Sequence, residues 1–162
     1  MAIGPQESNP KFRNLKYQNE KPRKMMIELS LSAAVRPTES PEKVAGALEM
    51  LFPSIELAES VGQIEGRGGT ESLSTFHRLL REQRILDTAR SVMLHGRVGD
   101  SIQFRLNKQA ATVGKVSFPP DEEPLGSIHV EIRGPKTLID WLAPETLDGK
   151  PVEEIDLAED YV

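Results

Sequence analysis

The sequence predicts an α+β domain in which a largely antiparallel or mixed sheet carries helices packed on one face. Apolar residues alternate with polar ones over several short stretches, the period of half-buried strands. Helical faces interrupt those stretches irregularly. The resulting order of strand, helix, strand, helix pair, three strands and helix lacks the regular β-α alternation of a doubly wound sheet.

The first strand opens the fold at Met25, where Ile27, Leu29 and Leu31 alternate with Glu28, Ser30 and Ser32. Ser40 is placed to cap a helix with Pro41 at its first position. Val44, Ala47, Leu48 and Leu51 make the buried face, which ends before Pro53. Ile55, Leu57 and Val61 predict a second strand running into a turn at Gly66-Arg67-Gly68-Gly69. Thr70 then caps a helix with Glu71 in its first turn and Leu73, Phe76, Leu79 and Leu80 inward. One straight helix would need apolar residues at 83, 84 and 87, yet these are Gln83, Arg84 and Asp87. The apolar phase resumes at Ile85, Leu86, Ala89, Val92 and Met93, so a break falls near Glu82–Arg84, and Gly96 closes the second helix as a C-terminal glycine. Ile102, Phe104 and Leu106 define a third strand. Lys115–Phe118 and Ser127–Arg133 read as two more around a proline-bounded acidic loop, and a short helix burying Leu138, Ile139 and Trp141 or Leu142 stops at Pro144.

With 162 residues the chain has room for one domain, and Leu, Ile, Val and Phe make up 42 of them, enough for a core. The net charge of −5 is unevenly spread. Residues 1–24 carry six bases against two acids and few apolar residues, a basic flexible tail. Residues 25–146 form the domain, and residues 147–162 an acidic C-terminal tail. No apolar run approaches the ~20 residues that span a bilayer, and no secretory leader is evident, so the expectation is a cytoplasmic protein. Absence of cysteine excludes disulfide frameworks, thiol catalysis, cysteine-ligated zinc and iron–sulfur clusters.

The densest basic stretch runs from His77 to Lys108 and holds seven bases against three acids. Six of the seven are arginine, whose planar fork pairs bidentately with phosphate. Arg78, Arg81, Arg84, Arg90 and Arg105 are therefore candidate RNA- or anion-binding residues. Arg84 and Arg90 also lie three residues from Asp87, which suits ion pairs across a helix surface equally well. After the third strand, Asn107-Lys108-Gln109 sets three polar side chains before Ala110-Ala111. Lys108 is a candidate phosphate contact and Asn107 or Gln109 a candidate reader of a base edge or sugar, while turn chemistry favours the plainer reading of a turn that opens a short helix. Gly66–Gly69 lacks both the Walker and the dinucleotide pattern and is read as a connector. Phe76, Phe104 and Phe118 sit on apolar faces, which argues against base stacking. His77, His95 and His129 lack metal-ligand spacing and no nucleophile elbow is present, so neither an enzyme, a metal nor a cofactor is expected.

The segments Phe76-His77-Arg78-Leu79-Leu80-Arg81-Glu82-Gln83-Arg84-Ile85-Leu86-Asp87-Thr88-Ala89-Arg90, Phe104-Arg105-Leu106-Asn107-Lys108-Gln109-Ala110-Ala111, Pro124-Leu125-Gly126-Ser127-Ile128 and Leu142-Ala143-Pro144-Glu145-Thr146 resemble the archaeal uncharacterised protein family (UPF) two-zero-one. The likeness covers about residues 26–150. It implies an α+β fold similar to the 5S-rRNA-binding large-subunit ribosomal protein and a role in RNA binding, with no catalytic residue. Its motif positions here are Arg81, Gln83, Arg84, Asp87, Arg90, Asn107, Lys108 and Gln109. The expected function is thus a non-enzymatic RNA-associated protein that contacts phosphate through the helix-pair arginines and the Asn-Lys-Gln segment. The competing expectation is a homodimeric interaction or assembly module, using the sheet or the Leu125–Ile128 edge, with the acidic tail docking a basic partner.

Overall fold

A computed structural model describes residues 27–120 and 126–157. The basic N-terminal stretch and the Asp121-Glu122-Glu123 cluster lie outside the described residues. Eight strands and five α-helices follow in chain order: β1 (Glu28–Ala34), α1 (Pro41–Leu51), β2 (Glu56–Ser60), β3 (Gln63–Gly68), α2 (Ser74–Glu82), α3 (Leu86–His95), β4 (Arg97–Val98), β5 (Ser101–Asn107), α4 (Lys108–Thr112), β6 (Ser127–Arg133), α5 (Leu138–Leu142), β7 (Thr146–Leu147) and β8 (Lys150–Pro151). A 3₁₀ turn over Thr70–Leu73 leads into α2. The first six strands make one antiparallel sheet in the order β2-β3-β1-β6-β5-β4, the α+β architecture that the alternation predicts.

Alternation decides which face of the sheet is dry. Leu29, Leu31 and Ala33 of β1, Ile102, Phe104 and Leu106 of β5, and Ile128, Val130 and Ile132 of β6 are all buried in one core with the helices. α1 contributes Val44, Ala47, Leu48 and Leu51 to it, and starts where Ser40 Oγ accepts the Lys43 N–H at 3.3 Å with Pro41 behind. Phe52, Phe76, Phe104 and Phe118 form a continuous row of rings with centroids 5.5, 5.7 and 6.2 Å apart, each contact adding about 0.5–1.5 kcal/mol beyond simple burial.

The break between α2 and α3 is a Schellman closure. Ile85 N–H bonds the Leu80 carbonyl, Arg84 N–H bonds that of Arg81, and Arg84 takes the left-handed conformation at φ +59°. Gly96 corrects the sequence reading. Its φ is −91°, so it is no left-handed cap; instead a Cβ there would stand 1.8 Å from the Gln103 carbonyl oxygen, and only glycine allows the two chains to touch.

Five further expectations change. Gly66-Arg67-Gly68 lies inside β3, because the chain turns earlier, at exposed Val61 and Gly62 (φ +74°). Thr70 makes no capping bond, and its buried hydroxyl finds no partner among the described residues. Lys115–Phe118 is not a strand: the Gln83 carboxamide donates to the Val116 carbonyl and accepts its N–H, both at 2.8 Å, supplying from a side chain what a neighbouring strand would supply. Ser127-Ile128 is no edge, since β6 pairs with β1 on one side and β5 on the other. Finally, Thr146–Pro151 folds into a small hairpin, so ordered structure continues past residue 146. No helix among the described residues is long and apolar enough to cross a membrane.

Candidate nucleic-acid interface

Most of the basic residues singled out by sequence hold the fold together. Arg81 reaches from α2 to the chain's end: Nε and Nη2 grip the Glu154 carboxylate at 2.8 and 2.7 Å, Nη2 also donates to the Trp141 carbonyl at 3.1 Å, and Nη1 donates to those of His77 and Leu142 at 2.8 and 2.9 Å. That anchors the segment after β8 across α2 and α5, and holds the Glu154 carboxyl below its ordinary range despite partial burial. His77 stacks on Trp141 at 4.6 Å beside this clamp. Burial and then the Arg81 charge push its imidazole below the ordinary 6.5. Arg90 joins α3 to α5 through Asp140 Oδ1 at 2.8 Å and the Ala143 carbonyl at 3.0 Å.

Lys108 departs furthest from expectation. Its side chain is 3 % exposed, and Nζ donates to the Ala34 carbonyl at 2.7 Å and to Glu39 Oε1 at 2.9 Å. Glu39 also accepts the Arg36 N–H at 2.9 Å. Burial raises the Glu39 carboxyl, but that amide, the Lys108 bond and the two positive charges outweigh it and hold the group below 4.5. Lys108 therefore ties the end of β5 to the end of β1 and presents no ammonium to a ligand. Asn107 caps α4 by accepting the Ala110 N–H at 2.7 Å, and only Gln109 of the three points outward. The three do not converge into a pocket.

Arg78 and Arg84 remain exposed on the helix layer, Arg78 at 2.9 Å from Glu82 one turn on. Asp87 pairs with neither Arg84 nor Arg90, because it accepts the Thr146 hydroxyl instead. Arg105 lies on the opposite side of the molecule from the helices. Its guanidinium donates to the Pro120 carbonyl at 2.8 Å and to Ser127 Oγ at 3.3 Å. The sequence candidates thus divide between two faces.

The polar phase of the strands builds the surface that sequence reasoning passed over. Facing away from the core, Ser30 stands between Arg67 and Glu131, and Ser32 between Glu65 and His129, with Gln103 and Arg105 one strand farther out. Small hydroxyls on central β1 form a floor, and long side chains on β3 and on β6 and β5 form walls. Strand spacing puts those walls about 10 Å apart. The result is an open trough of about 870 Å³ that extends over the β5 edge to His95 and Phe118. Arg67 makes no ion pair among the described residues. Toward one end Arg133 sits 3.7 Å from Glu131, which also accepts the Ser101 hydroxyl at 2.7 Å. Among the described residues no group of three His, Asp or Glu is placed to hold a metal.

A family model described as RNA binding matches residues 28–134, from the first residue of β1 to one past the end of β6. A UPF0201 protein of Methanosarcina acetivorans is 41 % identical over 160 residues, covering 86 % of this chain and 96 % of its own. The chain belongs to the UPF0201 family. A crystal structure of the UPF0201 protein from Methanococcus jannaschii superposes with a TM-score of 0.69 at 36 % identity, over 78 % of this chain and 99 % of that one. A UPF0200/UPF0201 protein of Archaeoglobus fulgidus is 43 % identical over 136 residues, and this chain spans only 41 % of its length. The chain thus shares its overall fold with the Methanococcus jannaschii UPF0201 structure.

Proposed function

We propose that this protein associates with RNA through the open face of its sheet, and that Arg67 and Arg105, on either side of the serine floor, are its phosphate contacts. The observation that carries this reading is the coincidence of the RNA-binding family match with the sheet, first strand to last. Of the basic candidates on the helix side, Arg81, Arg90 and Lys108 are bonded internally and Arg78 pairs with Glu82, which leaves Arg84; on the open face Arg67 makes no ion pair among the described residues, and Arg105 is oriented by the Pro120 carbonyl and the Ser127 hydroxyl. The face carries Arg67, Arg105 and Arg133 against Glu28, Glu56, Glu65 and Glu131, so its affinity rests on placed contacts and not on a broad positive field. Two or three phosphate contacts give a shallow salt dependence, with log K falling against log salt at a slope of about −2 to −3.

Titration of a fluorescent structured RNA at several salt concentrations tests it. Arg67→Ala and Arg105→Ala each weaken binding and flatten the slope by about one. Absence of RNA binding, or binding unmoved by both substitutions, refutes it.

A further inference from the structure

We infer that the RNA held on this face is base-paired, contacted along the minor groove of an A-form helix; the inference rests on the RNA association proposed above. Proteins that take single strands stack the bases on exposed aromatic side chains. Here Phe52, Phe76 and Phe104 are buried in the core, Phe118 packs edge-on against Phe104, and Trp141 stacks on His77 across the molecule. Phe104 and half-buried Phe118 line the trough only where it runs over the β5 edge; among the described residues no Phe, Tyr or Trp lies over the serine floor between β3 and β6. A ligand lying along that floor therefore meets no Phe, Tyr or Trp on which to stack a base, and its bases stay stacked on one another inside a helix.

What the face offers instead is suited to sugar and backbone. Ser30 and Ser32 can both donate and accept, Arg67 and Arg105 can donate to phosphate oxygens, and Glu65 and Glu131 only accept, each with one bond already taken, from Gln63 Nε2 and the Ser101 hydroxyl, and further lone pairs open. A carboxylate inside a nucleic-acid contact is repelled by phosphate and needs a donor. Ribose 2′-hydroxyls supply one at every nucleotide of the wide, shallow minor groove of RNA, and DNA lacks them. Arg67 and Glu65, two residues apart on one face of β3, thus set a partner for phosphate beside a partner for a 2′-hydroxyl.

The test uses the full chain and five probes: a short RNA duplex, the same duplex with 2′-O-methyl riboses, the matching DNA duplex, and each RNA strand alone. The RNA duplex is expected to bind at least about tenfold more tightly than any other, the size of one charge-assisted hydrogen bond. Glu65→Ala, at an exposed position, is expected to shrink the ratio between ribose and methylated duplexes. Single strands that bind as tightly as the duplex, or equal affinity for the methylated or DNA duplex, overturn the inference and leave RNA association standing. Failure to bind any RNA removes both.

Discussion

Replacing Lys108 separates a structural role from a ligand-binding one. Lys108→Ala strips the Ala34 carbonyl of its partner and takes from Glu39 its bonded ammonium, leaving the Arg36 amide and charge, in a site where the lysine side chain is 3 % and the glutamate 25 % exposed. Removing one member of a sealed ion pair costs about 3–5 kcal/mol; the quarter exposure of Glu39 lets water solvate the orphaned carboxylate, so about 2–4 kcal/mol is expected. For a chain of this length that lowers Tm by roughly 4–15 °C. Lys108→Met keeps most of the volume and isolates the electrostatic part, and adding Glu39→Gln to it should recover over half of the loss. Because the Glu39 carboxyl is held below 4.5, its contribution is complete above that value and fades as pH falls through the lowered one. Lys108→Met should therefore flatten the acid limb of the stability curve. Thermal melts across pH, with RNA titrations on the folded variants, measure both roles. An unchanged Tm together with a salt slope reduced by one would refute the reasoning and make Lys108 a phosphate ligand.

Other substitutions probe other contacts. Glu154→Gln should cost no more than about 1 kcal/mol, since the glutamate is 48 % exposed, yet it should open the segment after β8 to limited proteolysis; cleavage no faster than in the parent would contradict the clamp. Arg81→Ala, which also orphans two carbonyls at the end of α5, should lower stability further than Glu154→Gln. His77 titrates below 6.5, so the unfolded chain takes up a proton first and stability should decline as pH drops below that value; an NMR titration midpoint at or above 6.5 would overturn this. Gly96→Ala must force β5 and the end of α3 apart, and should cost more than the 1–3 kcal/mol typical of overpacking; a denaturant midpoint within error of the parent would be inconsistent with that contact.

The alternation of β1, β5 and β6 and the slipped phase between Leu80 and Ile85 were legible in the sequence because each reflects a local period that burial enforces. The failures share a different cause. Gln83 acting as a strand partner for Val116, Arg81 closing on Glu154 and Lys108 turning inward to Glu39 are contacts between residues 33 to 73 apart, which no local pattern encodes. Basic residues dense in sequence looked like a surface, whereas the face proposed to bind is assembled from the polar positions of four strands. Arg67 carried a signal nonetheless: it sits two residues from Glu65 in alternation with Ile64 and Gly66, the same period that identified β1.

The order of the sheet has a consequence for synthesis. β1 pairs on one edge with nearby β3 but must wait for β6, about 100 residues later, to cover its other edge. At a ribosomal pace of about 5–20 residues per second that wait lasts about 5–20 s, during which the N-terminal three-stranded half presents an unpaired strand backed by Leu29 and Leu31. The interval in which this protein is most open to strand addition by a neighbouring chain therefore comes before β6 is translated, and protection by a chaperone would matter most then.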